Sequence, residues 1–196
     1  MAVMKEAATK DSTTIVQEGN PVLRAIANPV PLADIGTKKL RDILLRMTIA
    51  LEREQDGVAI AAPQIGVPLS IFIVSHRAFT IEEHDEILPD PDAKDMVVIN
   101  PEIVKLSRKK VKVPEGCLSV RWLYGNTMRS EKASIRAIDE HGKSFTFGGS
   151  GLVAQIFQHE TDHLKGILFI DHATEIEELT PEQIAEIEGK NKNPKK

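Results

Sequence analysis

Residues 151–165 read GLVAQIFQHETDHLK, and this stretch decides the fold of the chain. Leu152, Ile156, Phe157 and Leu164 make the segment strongly apolar, and its pattern predicts an α-helix. A helix that is apolar over most of its surface is typically buried at the centre of a molecule. We therefore expect the rest of the chain to pack around this helix.

The same helix carries three polar groups, His159, Glu160 and His163. Residues four apart share one helix face, so the two imidazoles can bind one metal ion. Glu160 lies one step round the helix, where it can contact a metal-bound water without binding the metal. Two ordinary histidines and a solvated glutamate would need a reason to lie on so apolar a helix. The pattern therefore predicts a metal-dependent hydrolase.

Two histidines leave such a site one protein ligand short. One class of zinc protease would add a histidine six residues after His163, but position 169 is Phe. Another class would use a glutamate further along, and Glu182 has a suitable spacing, although it lies in a predicted exposed helix. Cys117 is the third candidate, because a thiolate binds zinc-like metals well. The residues alone leave the choice open.

Short apolar runs and turns fill most of the remaining chain. An amphipathic helix is predicted over residues 37–55, and Thr180–Gln183 reads as the capping box of a C-terminal helix. The acidic segment 76–95 contains two prolines and is predicted to be an exposed loop. These elements predict an α+β fold, with short mixed or antiparallel sheets wrapped around the central helix. The predicted strands lie at 58–61, 70–74, 96–99, 103–106, 110–113, 133–138 and 143–147.

The chain has 196 residues, a net charge of −4 and one cysteine. We expect one catalytic domain at 15–174, a flexible N-terminus at 1–14, and a C-terminal helix with a Lys-rich tail at 175–196. The negative charge argues against nucleic-acid binding, whether non-specific or sequence-specific. A lone cysteine excludes an internal disulfide, and the apolar runs are too short to span a bilayer. A cytoplasmic enzyme with no membrane partner is expected.

Three segments resemble the motifs of the peptide deformylase family, in the order and spacing of that family. They are GVAIAAPQ at 57–64, EGCLS at 115–119 and QHETDH at 158–163. The stretch NPVLR at 20–24 is similar to the N-terminal segment of the family, and the resemblance covers residues 15–172. One departure is Ala59, where the family usually has glycine. Its methyl group could tighten the floor of the cleft, but it removes no catalytic atom.

The resemblance implies that the chain removes the formyl group from the N-terminal formylmethionine of newly made polypeptides. Cys117, His159 and His163 would bind one divalent metal ion per chain, and Glu160 would act as general acid and base on a metal-bound water. Fe(II) is the metal expected in the cell, whereas zinc, nickel or cobalt is compatible with a purified sample. The alternative is a zinc endopeptidase that uses the same helix with a different third ligand.

The resemblance also assigns the groups that would contact the substrate. The backbone N–H of Leu118 and the side-chain amide of Gln64 would stabilise the oxyanion. The extended piece Gly57–Ile60 resembles an edge strand to which the peptide adds by main-chain hydrogen bonds. The implied substrate-binding residues are Gly57, Val58, Ala59, Ile60, Val113, Gly116, Leu152 and Ile156.

Supporting contacts and partners complete the expectation. Asp162 is a candidate partner for a ligand imidazole, because such rings need a partner on their other nitrogen. An ion pair between Asp56 and Arg129 is expected behind the first motif, as in the family. The substrates would be nascent N-formylmethionyl peptides, and the C-terminal helix resembles an extension that docks on the ribosome.

Overall fold

The computed structural model describes residues 13–83, 86–90 and 92–192. These residues contain three α-helices, α1 (Lys38–Arg53), α2 (Gly151–Leu164) and α3 (Pro181–Lys192). The strands, in chain order, are β1 (Ala59–Ala61), β2 (Ile71–Val74), β3 (Thr80–Glu83), β4 (Glu86–Pro89), β5 (Met96–Leu106), β6 (Lys110–Gly116), β7 (Leu123–Ser130), β8 (Lys132–Ile138), β9 (Ser144–Ser150) and β10 (Thr174–Glu178).

The strands form three sheets, and every pairing between them is antiparallel. The largest sheet has the order β1-β2-β5-β8-β9, the second has the order β10-β7-β6, and β3 pairs with β4. β1 lies at the edge of the largest sheet, so one side of Ala59–Ala61 has backbone groups that can pair with another chain. The structure thus confirms the α+β class with antiparallel sheets.

The largest sheet lies between two apolar cores, because successive side chains along each strand point to opposite faces of the sheet. On β2, Phe72 and Val74 face the core that contains α2, whereas Ile71 and Ile73 face the core that contains α1. On β1, the small Ala59 and Ala61 belong to the α2 side. Small residues here let the helix approach the edge strand closely, which brings its polar end near that edge.

α2 is the central helix that the sequence predicts. It contacts all five strands of the largest sheet and also β7 of the second sheet. The ring of Phe157 lies 6.4 Å from that of Phe72 and 6.1 Å from that of Phe147. Burial of an apolar side chain of this size contributes about 1.5–3 kcal/mol. The apolar face of α2 therefore holds its polar residues in a defined position between two sheets.

Four strands differ from the sequence prediction. The segment 76–95, predicted to be an exposed loop, contains the β3–β4 hairpin, and this part of the prediction is wrong. A hairpin of this kind is held by its own backbone hydrogen bonds, so its acidic composition does not prevent it. β7 and β10 were not predicted; β10 is exposed along its whole length and has no apolar alternation that could indicate a strand. β10 begins at residue 174, where the catalytic domain is predicted to end, and it pairs with β7.

The two ends of the chain are only partly described. Residues 1–12, which make up most of the predicted flexible N-terminus, lie outside the described residues. Residues 193–196, at the end of the Lys-rich tail, also lie outside them. The capping box at the start of α3 is confirmed: the Thr180 N–H donates to Gln183 Oε1 (2.8 Å), and the Gln183 N–H donates to Thr180 Oγ1 (3.3 Å). No helix within the described residues is long and apolar enough to cross a membrane.

Candidate active site

A cleft of about 340 Å³ opens between the edge strand β1 and the turn that joins β6 to β7, with α2 as its floor. Residues from all three sequence motifs line it. The lining residues that bear on the chemistry are Gln64, Cys117, Leu118, His159 and Glu160. The tertiary structure therefore brings together segments that are far apart in the chain.

Three potential metal ligands converge at the floor of this cleft. His159 and His163 lie in the last turns of α2, and Cys117 directly follows β6. One ligand atom from each residue lies within 4.8 Å of the other two, and Cys117 Sγ is 3.1 Å from His163 Nε2. The ligand atoms of Cys117, His159 and His163 thus form one compact cluster at the floor of the cleft.

Gly166 ends α2 immediately after this set. Its φ is +75°, and a Cβ atom at this position would lie 2.5 Å from the carbonyl oxygen of Arg24. Glycine is the residue that fits such a backbone. The Gly166 N–H donates to the His163 carbonyl (3.1 Å), which closes the last turn and keeps His163 on the helix.

Glu115 sets the orientation of His159. Its carboxylate accepts a hydrogen bond from His159 Nδ1, which leaves Nε2 facing the other ligands. Carboxylate partners of this kind fix the tautomer and ring direction of metal-binding histidines. Asp162, the partner expected from the sequence, instead pairs with Arg129 (2.6 Å). The expectation for Asp162 is therefore wrong, because a neighbour of the ligand in sequence need not face its ring.

A buried charge network holds Glu115 itself. Arg129 binds both carboxylate oxygens of Glu115, at 2.8 and 3.1 Å, and Thr127 donates to one of them. Burial raises the pKa of Glu115, but hydrogen bonds from His159 and Arg129 outweigh this effect and lower it to about 2. Glu115 is therefore a permanent carboxylate behind His159.

The donor set suits a divalent metal ion of the zinc or iron type, which prefers one thiolate and neutral imidazoles. Burial lowers the pKa of His163, so this imidazole is neutral. Burial acts in the same direction on His159, but hydrogen bonds with Cys117 and Glu115 raise its pKa. The raised pKa shows that the surroundings of His159 and Cys117 favour a positive charge, and a metal cation would be favoured there for the same reason. Cys117, His159 and His163 therefore fit the metal that the motif implies.

Glu115→Gln is expected to weaken metal binding by about 10–100-fold, because an amide orients the His159 ring less strongly than a carboxylate. The measurement is a competitive metal titration against a chromogenic chelator. Glu102→Gln is the matched control, since Glu102 pairs with the exposed Arg136 on β8. Equal metal affinity in wild type and Glu115→Gln would contradict the orienting role.

Glu160 lies beside the ligand set with an unsatisfied carboxylate. It is 3% exposed, it lines the cleft, and its Oε2 has no hydrogen-bond partner among the described residues. Burial raises the pKa of Glu160 to about 7. A buried oxygen without a partner is costly unless the site uses it. This carboxylate is therefore ready to accept a proton from a group in the cleft.

Gln64 and Leu118 present hydrogen-bond donors on the opposite wall. The Ala61 N–H donates to Gln64 Oε1 (2.8 Å), so the amide nitrogen must point the other way, toward Ser119 Oγ (3.2 Å) and Cys117 Sγ (3.6 Å). Within the described residues, the backbone N–H of Leu118 donates to no acceptor. The Gln64 amide therefore faces Cys117, and the Leu118 N–H is an unused donor on a residue that lines the same cleft.

The predicted substrate-binding residues fall into two groups. Most of them line the cleft, but the side chain of Ile60 packs in the α1 core and Val113 is not part of the lining. Gly116 matters because the ring of Tyr124 lies against it, and a Cβ there would be 2.5 Å from that ring. The predicted residues that line the cleft are Gly57, Val58, Ala59, Gly116, Leu152 and Ile156.

Comparison with known proteins shows the family of this chain. The family model for polypeptide deformylase matches residues 12–179. The chain belongs to the polypeptide deformylase family. A peptide deformylase of Dehalococcoides mccartyi is 38% identical over 160 residues, which cover 81% of this chain and 84% of that protein. One from Thermomicrobium roseum is 40% identical over 159 residues, with the same coverage.

Solved deformylase structures share the fold as well. A class I type b peptide deformylase from Acinetobacter baumannii, with Met-Ala-Ser bound, has a TM-score of 0.70 and 30% identity. The match covers 81% of this chain and 97% of that one. The deformylase of Thermotoga maritima has a TM-score of 0.68 and 30% identity, over 82% and 96%. As a deformylase, the chain is a metal-dependent hydrolase that removes the N-terminal formyl group of polypeptides, and nothing supports the endopeptidase alternative.

Sequence reasoning missed a set of contacts at the mouth of the deformylase cleft. The expected Asp56–Arg129 pair is wrong, since Asp56 pairs with Arg121 at 2.7 and 3.2 Å. Arg121 also binds Glu54 (2.8 Å) and lies over the Trp122 ring, 4.4 Å from its centroid. These contacts join the end of α1, the start of the edge-strand segment and the turn after Cys117.

Gln17 holds the same turn from the other side. Its amide nitrogen donates to the Leu118 carbonyl (3.0 Å), and its oxygen accepts from the Arg121 N–H (3.3 Å). A glutamine in an N-terminal loop carries no motif, so sequence patterns could not reveal this contact. Arg121 and Gln17 therefore position the two walls of the cleft relative to each other.

Arg121→Ala is expected to raise KM for a formyl-methionyl peptide by about tenfold and to change kcat much less. The substitution removes the charge-assisted hydrogen bonds from Arg121 to Asp56 and Glu54, each of which contributes about 1.5–3 kcal/mol, while the metal ligands stay in place. Steady-state kinetics with Arg121→Ala and Arg121→Lys test this, with Arg136→Ala as an exposed control. Lysine cannot bind a carboxylate in a bidentate manner, so Arg121→Lys should be intermediate. A fall in kcat at unchanged KM would contradict a positioning role.

Proposed function

We propose that Cys117, His159 and His163 hold one divalent metal ion and that Glu160 transfers the proton in the deformylation reaction. The observation that carries this proposal is the buried, unpartnered Glu160 oxygen beside three converging ligand atoms. When bound, the metal would act as a Lewis acid and lower the pKa of a coordinated water. The family membership of the chain and the chemistry of the donor set support this assignment.

Glu160 moves the proton in two directions. Its carboxylate first accepts a proton from the attacking water, and it then delivers that proton to the amine nitrogen that leaves the formyl carbon. A carboxyl group with a pKa near 7 can both accept and release a proton at neutral pH, and burial gives Glu160 this property. The low exposure of the site also excludes bulk water, which would otherwise compete for the proton.

Gln64 and Leu118 stabilise the charge that develops on the formyl oxygen. Both donors are already oriented before the reaction: Gln64 by the Ala61 N–H, and the Leu118 N–H by the Val120 N–H, which donates to the Cys117 carbonyl of the same peptide unit (3.0 Å). Oriented donors stabilise a transition state without the cost of turning solvent dipoles. The weak 3.6 Å contact from Gln64 to Cys117 Sγ is easily replaced by a stronger acceptor such as an oxyanion.

The substrate is a peptide with an N-terminal formylmethionine, and it adds to the free edge of β1. Gln64, at the end of the β1 segment, lies near the ligand set, whereas Asp56 and Gly57 lie at its other end. The bound peptide therefore lies with its formyl group toward Gln64, and the rest of its chain extends along β1 toward Asp56. Leu152 and Ile156 on α2 form the apolar surface for the methionine side chain. The A. baumannii relative, which is described with Met-Ala-Ser bound, supports this substrate class.

Fe(II) is the proposed cellular metal, and cytoplasmic nascent chains are the proposed substrates. A mixed sulfur and nitrogen donor set also accepts zinc, nickel or cobalt, so the metal depends on availability. The resemblance further suggests ribosome docking through residues 175–196. Residues 175–187 contain five glutamates and no lysine or arginine, so such docking would depend on the lysines that follow.

Deformylation of formyl-Met-Ala-Ser by anaerobically prepared protein, with metal content measured on the same sample, tests the proposed function. We expect turnover in proportion to bound metal at one ion per chain. Removal of the metal by a chelator should abolish turnover, and Fe(II) should restore it. Full turnover by metal-free protein would overturn the proposal.

A further inference from the structure

A cluster of positive charge lies at the end of β6 opposite to Cys117. We define the basic patch as residues 102–112 and 131–136. It contains seven Lys or Arg and two Glu, although the whole chain has a net charge of −4. The rest of the molecule is therefore strongly acidic, and the total charge conceals a basic face. The seven residues are Lys105, Arg108, Lys109, Lys110, Lys112, Lys132 and Arg136.

The basic patch is built on two turns that hold each other. The Ser107 N–H donates to the Lys132 carbonyl (2.9 Å), and the Lys132 N–H donates to Ser107 Oγ (3.0 Å). Ser107 Oγ donates in turn to the Lys109 carbonyl (2.9 Å), which also accepts from the Glu131 N–H (3.0 Å). The backbone that carries these basic side chains is therefore ordered before any partner binds, which lowers the entropic cost of binding.

Most of the positive charge in the patch is not neutralised. Glu131 pairs with Lys109 (2.5 Å), and Glu102 pairs with Arg136 (2.6 Å), so both glutamates of the patch are already used. Outside the patch, Glu175 pairs with Lys112 (2.6 Å). Four basic side chains of the patch have no ion-pair partner among the described residues. They are Lys105, Arg108, Lys110 and Lys132.

A groove of about 350 Å³ runs along this surface, between β5, β8 and β9. Lys105 and Lys132 line it together with the hydroxyl-bearing Ser107, Ser134 and Ser150. Ammonium and hydroxyl groups are typical ligands of phosphate oxygens and of ribose in nucleic-acid complexes. The groove therefore offers the chemistry of a phosphate backbone site rather than that of an apolar ligand.

We propose that the basic patch binds the phosphate backbone of double-stranded RNA. The patch contains no aromatic residue, so it offers no platform for stacking single-stranded bases. The basic segments that bind membranes lie beside a membrane-spanning helix or on an amphipathic helix, whereas this patch lies on strands and turns, which favours RNA over a membrane surface. RNA is favoured over DNA because the shallow minor groove of an A-form helix displays 2′-hydroxyls, and the serine hydroxyls of the groove can bind them.

Binding at this surface leaves the catalytic cleft free. β6 carries Lys110 at one end and Glu115–Gly116 at the other, roughly 20 Å away at the usual rise of a strand. An RNA-bound molecule would therefore hold its cleft at a fixed distance from the RNA surface. This arrangement suits an enzyme whose substrates grow from an RNA-containing machine, and it predicts that deformylation of free peptides does not depend on the patch.

The test compares two triple variants of the metal-loaded full chain. Lys105→Gln, Lys110→Gln and Lys132→Gln neutralise the patch, whereas Lys39→Gln, Lys94→Gln and Lys143→Gln remove the same charge at exposed sites elsewhere. Fluorescence anisotropy measures binding of a labelled 20-base-pair RNA duplex between 50 and 200 mM salt. The patch variant should bind at least about tenfold more weakly at 50 mM salt and show a salt slope smaller by about 2–3, roughly one per lost phosphate contact. The control variant should resemble wild type.

Several outcomes would overturn the proposal. One is that the wild-type protein does not bind the RNA duplex at 50 mM salt, and another is that both triple variants lose RNA affinity equally. The proposal also fails if wild type binds a DNA duplex as tightly as the RNA duplex or more tightly, or if it binds phosphatidylserine vesicles more strongly than RNA. Lysine-to-arginine changes at the three patch positions keep the charge and should keep RNA binding. Deformylation of formyl-Met-Ala-Ser is expected to be equal in all of these proteins. Since RNA binding is measured directly, its absence would leave the proposed catalytic function untouched.

Discussion

Glu160→Gln is expected to bind its metal ion with wild-type stoichiometry and to lose deformylation activity by about 10²–10⁴-fold, the usual contribution of a general acid–base group. Glutamine keeps the volume of the side chain and its ability to donate or accept hydrogen bonds, but it cannot take up a proton at neutral pH. Since Glu160 is buried against the ligand set and its Oε2 has no partner, the change removes the proton acceptor and little else.

Loss of activity should appear as a lower kcat, because the proposed role of Glu160 is proton transfer and not binding of the peptide. Steady-state kinetics with formyl-Met-Ala-Ser measure it, and metal analysis of the same preparation shows that the site is loaded. Glu140→Gln, an exposed glutamate on the β8–β9 turn, is the matched control and should be fully active. Normal turnover by metal-loaded Glu160→Gln would rule out the proposed proton transfer.

Cys117→Ala is expected to lose metal and activity together. Removal of a group that only orients a ligand costs about 10–100-fold in metal affinity, so loss of a direct ligand should cost more than about 100-fold. The two remaining imidazoles on α2 would offer an incomplete donor set. Cys117 is only partly buried, so the substitution should leave the fold intact, and circular dichroism and the Tm of the metal-free proteins can verify this.

Glu182→Ala provides the contrast, because an endopeptidase with the same helix would use this glutamate as its ligand. Glu182 lies exposed in the first turn of α3. It is not part of the cluster of metal-ligating side chains found among the described residues. We expect Glu182→Ala to keep its metal and its activity. Metal retained by Cys117→Ala but lost by Glu182→Ala would reverse the assignment of the third ligand.

Local geometry explains the parts of the site that could be predicted from the sequence. His159 and His163 share a helix face because of their spacing, and the apolar composition of the surrounding helix indicates that this face is buried. Cys117, Gln64 and Leu118 were found by their resemblance to family motifs, and the structure brings them to the same cleft. Spacing alone left Cys117 and Glu182 as competing ligands.

Contacts between distant segments explain the parts that were missed. Asp56 could pair with any arginine that the fold brings near, and the turn after Cys117 presents Arg121 to it, while Arg129 is taken by Glu115 and Asp162. Glu115 stands in a recognised motif, but only the packing of β6 against α2 shows that its carboxylate meets Nδ1 of His159. The net charge likewise gave no indication that the positive charges lie together.

The sequence by itself determined the central helix, its paired histidines and the adjacent Glu160, because helix formation and face periodicity depend on residues a few positions apart. It also determined the α+β class through the alternation of apolar runs and turns. The tertiary structure decided which cysteine, carboxylate and arginine meet that helix, since those contacts depend on how sheets and turns pack. It is this packing that places Cys117 Sγ at 3.1 Å from His163 Nε2 and leaves Oε2 of Glu160 without a hydrogen-bond partner among the described residues.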